Sequence, residues 1–139
     1  MPDEFMMVGR LLLAGALGGL IGFQREKVGK EAGIRTLALI AIGSALFTML
    51  SVSGFEAPDP SRLAANIVVG IGFLGAGAII HRDQGVIEGM TTAATIWVAA
   101  AIGIAAGTGL YFIAVAATVI VLVVLVLPHV HIDQGSKEK

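Results

Sequence analysis

The sequence predicts an all-α integral membrane protein, a bundle of about five transmembrane helices with the N-terminus outside and the C-terminus in the cytoplasm. Three observations predict it. Apolar residues make up 56% of the 139 residues, charged residues only 14%, and the mean hydropathy is +0.90. A soluble domain carries about 25% charged residues, because a small globule has much surface to keep wet. The apolar residues also fall into five runs near membrane-spanning length, and a bilayer core takes about 20 apolar residues as a helix. Finally, the nine basic residues divide unevenly between the two sides. Arg25, Lys27, Lys30, Arg35, Arg82, Lys137 and Lys139 fall on one side, and only Arg10 and Arg62 on the other. The side rich in Lys and Arg is the cytoplasmic one.

The first run spans about 5–23 and holds one charge, Arg10. That guanidinium is expected to snorkel to the interface or to pair with Asp59 or Glu56. The acidic start and the lack of a small-residue cleavage site mark this run as a retained span rather than a signal peptide. Polar residues from Gln24 to Arg35 form the first loop, and the second run covers about 36–53. The third run, about 61–80, has a readable start. Asp59 is placed to cap it, Pro60 is the first helical residue, and Arg62 follows in the first turn. Asn66 lies one turn beyond Arg62 inside the apolar region, where an amide needs an interhelical partner or a polar cavity.

The fourth run, about 91–106, opens with Thr91, Thr92 and Thr95, whose hydroxyls can return to their own helix carbonyls. Trp97 lies too deep for an interfacial belt and is expected to fill space opposite a glycine face. After the tight turn Gly107-Thr108-Gly109, the fifth run, about 110–127, is apolar on every face and suits a lipid-exposed helix. Backbone in lipid must satisfy its own hydrogen bonds, which excludes isolated strands. No run shows the alternation of a membrane barrel. Residues 1–128 thus form one transmembrane domain, and 129–139 a short polar cytoplasmic tail.

Within the third run Gly70, Gly72 and Gly75 match the spacing of a dinucleotide-binding loop. That loop needs a strand before it and an amphipathic helix after it in a soluble βαβ unit, and neither is present. The glycines are read instead as packing faces, since helices in lipid associate through close contact that small residues permit. Small residues recur four apart at Gly15/Gly19, Gly18/Gly22, Gly72/Ala76 and Gly103/Gly107, and Gly77 extends the third-run stripe. This density predicts a third helix at the centre of the bundle.

The remaining chemistry is sparse. A net charge of −1 offers no basic face for nucleic acid. The absence of cysteine removes disulfides, thiolate catalysis and Cys-based metal sites. No nucleophile–base arrangement or phosphate loop is visible, so no enzyme and no cofactor are expected. Asp59 and Glu56 are weak candidates for a metal, and His129 and His131 weaker ones.

Three stretches together, "GLIGFQREKVGKEAGIRTLALIAIGSALFTMLS", "DPSRLAANIVVGIGFLGAGAII" and "GMTTAATIWVAAAIGIAAGTGLY", resemble the MgtC/SapB membrane proteins in order and spacing. The matching positions are Arg25 and Gly33 to Thr36 (with Arg35), then Asp59 to Arg62, Gly70 to Gly77, and Thr91, Thr92 and Trp97. Asn66 stands where the family commonly has glutamine. The resemblance implies a multi-pass protein of a bacterial or archaeal inner membrane, linked to growth under magnesium limitation. It implies a regulator rather than a magnesium transporter, and it puts the proton-translocating ATP synthase among the partners to consider. Longer members carry a soluble C-terminal domain resembling ACT folds, which is not expected in a chain stopping at Lys139.

The expected function is therefore that of a non-enzymatic membrane protein, acting through a second copy or another integral membrane protein. The alternative is a transporter or channel for Mg²⁺ or another small ion, with oxygen ligands from Asp59, Glu56, Asn66 and the threonines.

Overall fold

A computed structural model describes residues 3–56, 58–82 and 85–128, with His81, Arg82 and Val86 described by backbone alone. The tail 129–139, with His129, His131, Lys137 and Lys139, lies outside the described residues, as do the side chains of His81 and Arg82.

Five helices account for nearly all of the fold: α1 (Glu4–Lys27), α2 (Ile34–Ser53), α3 (Pro60–Ala78), α4 (Met90–Thr108) and α5 (Tyr111–Val126). The first four are long and apolar enough to cross a membrane. The fifth has 16 residues, which at about 1.5 Å per residue makes it shorter than a hydrocarbon core of about 30 Å. Between α3 and α4 the chain forms a short antiparallel hairpin, β1 (Ile80–Arg82) against β2 (Val86–Glu88), pairing Ile80 with Glu88. Nothing in the apolar pattern signals this hairpin.

Glycine sets two of the helix ends. At the end of α1, Gly29 has φ +71°, and Lys30 N–H reaches Arg25 O while Gly29 N–H reaches Glu26 O. At the end of α4, Gly109 has φ +88°, and Leu110 and Gly109 donate to Ala105 O and Ala106 O. Both are Schellman closures, in which a left-handed residue turns the chain back onto the last carbonyls.

The packing is centred on α2 and α4. Buried side chains come from α1 (Ala14, Leu17, Ile21), α2 (Leu37, Ala41, Ala45), α4 (Ile96, Ala99, Ile102, Ala106) and Ala114 of α5. Helix α2 lies between α1 and α4 because glycines on both neighbours admit its backbone. A Cβ at Gly18 would lie 2.9 Å from Ala41 Cβ, and one at Gly103 would overlap the Ala41 carbonyl oxygen. One turn further along, Gly22 meets Gly33 and Ile34, and Gly107 meets Ala45 and Thr48. Such approaches give interhelical dispersion contact where lipid provides no hydrophobic drive.

The second glycine pair of α1 does not repeat this. A Cβ at Gly15 would press on the end of the Ile42 side chain, 2.9 Å from its Cδ1. Gly19 is half-buried, and a Cβ there would make only ordinary contact with Ile34 Cγ2 at 3.7 Å. The expectation that Gly19 is a close-packing position is therefore corrected. It follows Gly18 by one residue, about 100° around the helix, and so points away from the line where the α2 backbone crosses.

The third helix is not the centre of this chain. It rests mainly on α4, and Gly75, beside Ala93, is its single buried residue. A Cβ at Gly70, Gly72 or Gly77 would meet nothing within 4 Å. Glycine content alone cannot locate a helix, because the same stripe serves a neighbour in the chain or one outside it.

Candidate functional site

Helix α4 meets an arginine at each end. Near its first turn a cavity of about 420 Å³ lies between α1, the α1–α2 loop, the hairpin and α4. Among the described residues its charged lining is Arg25, Lys30, Glu31 and Glu88. Arg25 is 5% exposed, and its Nη2 donates to Thr92 Oγ1 at 2.7 Å. Its Nε is buried with no hydrogen-bond partner among the described residues, and so is Gln24 Oε1. Glu88 has an interaction of its own.

The first turn of α4 adds to the positive character. Gly89 precedes it with φ +91°, and no side chain among the described residues caps the helix. A Cβ there would overlap the Ala78 carbonyl oxygen, so only glycine lets the hairpin feed α4 at this angle. The first N–H groups of a helix have no intrahelical acceptors and carry about half a positive charge. Arg25 and the α4 N-terminus therefore present like charge to one cavity. The starts of α1 and α5 likewise have no side-chain cap among the described residues, whereas those of α2 and α3 are served by a carboxylate. Glu26 Oε1 accepts from Ile34 N–H at 3.0 Å to serve α2. Asp59 Oδ1 accepts from Arg62 N–H at 3.2 Å and from Ser61 Oγ at 2.7 Å to serve α3.

At the far end of α4, Arg10 is fully engaged. Its Nε donates to Tyr111 Oη and its Nη1 to Gly107 O, both at 2.9 Å, and its guanidinium lies 5.8 Å from the Tyr111 ring centre. A cation at a helix C-terminus meets carbonyls that favour it. The expected pairing of Arg10 with Asp59 or Glu56 is replaced by this contact.

The remaining candidates are dispersed. Asp59 caps α3, and the hydrogen bonds from the Ser61 hydroxyl and then from Arg62 N–H hold its carboxyl below the usual range. Glu56, Arg35, Thr36, Arg62 and Thr91 are exposed. Thr95 returns its hydroxyl to Thr91 O at 2.7 Å. Trp97 is 54% exposed and fills no internal space. Asn66 lies beside Gly70 in an apolar groove of about 540 Å³ between α2 and α3 and has no hydrogen-bond partner among the described residues. No three His, Asp or Glu side chains converge among the described residues.

The sequence model of the MgtC family matches residues 11–131. The chain belongs to the MgtC family. It is 50% identical to "Protein MgtC" of Brucella abortus over 116 residues, covering 81% of this chain and 48% of that protein. It is 46% identical to the "Putative magnesium transporter YhiD" of Escherichia coli K12 over 137 residues, covering 93% and 62%. An uncharacterized protein of Haemophilus influenzae is 46% identical over 131 residues, covering 88% and 55%. The chain thus spans about half to three-fifths of the length of these relatives. No solved structure matches it.

For this MgtC-family chain the first loop is shorter than its polar residues suggest. Helix α1 runs one turn further, to Lys27, and carries Arg25 on its buried face. The signal was available in the spacing: Ala14, Gly18, Ile21, Gly22 and Arg25 repeat at three and four residues, one stripe of a helix. Lys30, Glu31 and Gly89 come to the same cavity only through the turn and hairpin, which periodicity does not encode.

Proposed function

We propose that this chain is a non-enzymatic, multi-pass module of a bacterial or archaeal inner membrane, which regulates a membrane partner during adaptation to low magnesium or altered proton-motive force. Its N-terminus lies outside and its C-terminus in the cytoplasm, following the basic residues. The observation that carries the reading is the surface of α3 left open by the described residues. Gly70, Gly72 and Gly77 admit a close neighbour, and the Asn66 amide lacks a partner among the described residues. In lipid such a face is completed by another helix, from a second copy or from a different integral membrane protein. The link to magnesium rests on the family and on the wording of the YhiD relative's name.

The chain has no cysteine, so single cysteines report contacts directly. Gly70→Cys and Gly72→Cys are expected to cross-link in native membranes to a second copy or a partner, whereas Leu12→Cys, on the exposed face of α1, is not. Equal cross-linking at all three positions would overturn the reading.

The name of the YhiD relative supports a second reading, magnesium transport. Magnesium flux into liposomes holding the purified chain, abolished by Asn66→Leu or Asp59→Ala, would establish it. Flux indistinguishable from empty liposomes removes it.

A further inference from the structure

We propose that the cavity at the start of α4 binds a phosphate-type oxyanion, held by the Arg25 guanidinium and the first-turn N–H groups of α4. The ligand is the phosphate of a lipid headgroup or a free phosphate ion, which share this recognition chemistry.

Two independent features converge. The first is the N-terminus of a 19-residue helix with no side-chain cap among the described residues. Its amides point outward from the helix start, and its dipole favours a negative charge there. The second is Arg25, more than nine-tenths buried and lining the cavity, whose covered Nε has no partner among the described residues. A neutral hydroxyl, Thr92 Oγ1, is its only acceptor among the described residues. A guanidinium presents five donors in a fork that matches phosphate oxygens in pairs. Burying one against a helix N-terminus is costly unless an anion joins them.

The described carboxylates in the lining, Glu31 and Glu88, do not serve as that anion. Glu31 is exposed on the connecting loop, and Glu88 has another interaction. A divalent cation between them would face Arg25 and the positive end of α4 at close range. Lys30, exposed at the same cavity, adds attraction for an incoming anion. The basic residues around this end place it toward the cytoplasmic leaflet, where anionic headgroups and soluble phosphate are both present.

The test uses the whole chain purified in a neutral, phosphate-free maltoside detergent. One arm titrates inorganic phosphate by equilibrium dialysis, with sodium chloride matched for ionic strength. The other arm titrates phosphatidylglycerol into the micelles and reads bound lipid by native mass spectrometry. Saturable binding is expected in at least one arm, and the arm that saturates identifies the source. Arg25→Lys keeps the charge and loses the fork, and is expected to weaken binding by about tenfold or more. Lys30→Gln, at an exposed position that leaves folding intact, is expected to weaken it by about two- to fivefold. Lack of saturation in both arms overturns the proposal, as does full binding in the Arg25→Lys protein. If Arg25→Lys does not fold, unchanged binding by Lys30→Gln together with Thr92→Val overturns it. Saturable binding of magnesium but not of phosphate in the same dialysis also overturns it, by marking a cation site. None of these outcomes depends on the α3 cross-links.

Discussion

The two arginines that reach α4 show how much position decides what a cation in the bundle means. Arg10 and Arg25 both lie on α1 and both reach across to α4. Arg10 arrives where the helix presents carbonyls, finds Gly107 O and Tyr111 Oη, and stacks beside the tyrosine ring. Arg25 arrives where the helix presents N–H groups and finds one hydroxyl. Its position in the last turn of α1 offsets part of this, since that helix's carbonyl end attracts cations. The α4 end still repels it. One arginine completes its surroundings, and the other leaves them incomplete.

Removing each head group should therefore have unequal effects. Arg10→Met leaves the Gly107 carbonyl and the Tyr111 hydroxyl without their donor, and is expected to destabilise by about 1.5–3 kcal/mol, the range for hydrogen bonds to a charged group. Arg25→Met removes an under-partnered charge and keeps an unbranched apolar stem. In phosphate-free micelles it should lie within about 1 kcal/mol of the parent, or above it. Thermal unfolding followed by fluorescence of Trp97, the single tryptophan, checks both. Equal losses would break the comparison.

The turns that hold these ends should respond next. Gly89→Ala forces a Cβ onto the Ala78 carbonyl oxygen at a left-handed φ of +91°, and is expected to cost about 1–3 kcal/mol. Because it displaces the first turn of α4, it should also weaken anion binding. Tyr111→Phe keeps the ring beside Arg10 and deletes only the hydroxyl, so about 1 kcal/mol is expected. A larger effect from Tyr111→Phe than from Arg10→Met would mean that the tyrosine, rather than the arginine, secures that end.

The same contrast explains what could be read from the sequence. Run lengths and hydropathy reveal the helices, because lipid imposes one length scale and one backbone solution on every span. Asp59, Pro60 and Arg62 announce the start of α3 through local chemistry that acts within one turn. The glycine pairs Gly18/Gly22 and Gly103/Gly107 fall where α1 and α4 cross α2. Gly15/Gly19 has the same spacing on the same helix, yet Gly19 makes no close approach. Gly70 and Gly77, on one stripe of α3, and Gly72, on another, likewise meet nothing within the described chain. Sequence shows that a helix can be approached closely, not where or by whom. The charge of Arg25 suggests a loop, because charge is ordinarily a loop signal, but its helical register outweighs that signal. The hairpin at Ile80–Glu88 consists of two three-residue strands, too short for alternation to register.

The smallest effect concerns the start of α3, which serves as the internal control for the start of α4. Here the chain supplies its own anion, the Asp59 carboxylate. Hydrogen bonds from the Ser61 hydroxyl and the Arg62 N–H make that carboxyl more acidic in the folded chain than in the unfolded one. The capping contribution is then complete above the ordinary aspartate range and is lost as pH falls through the lowered folded value. Between neutral and mildly acidic pH the wild type should show no loss from this group, and only strong acid should fray α3. Asp59→Asn keeps an oxygen acceptor without the charge, so it should flatten this acid response while leaving stability near neutrality almost unchanged. Hydrogen exchange at the first amides of α3, followed against pH, distinguishes the two proteins. The amides at the start of α4 should be indifferent to that substitution and should gain protection only when inorganic phosphate or phosphatidylglycerol is added. Protection at both helix starts on adding the anion would show a general charge effect, and the distinction between the two ends would fail.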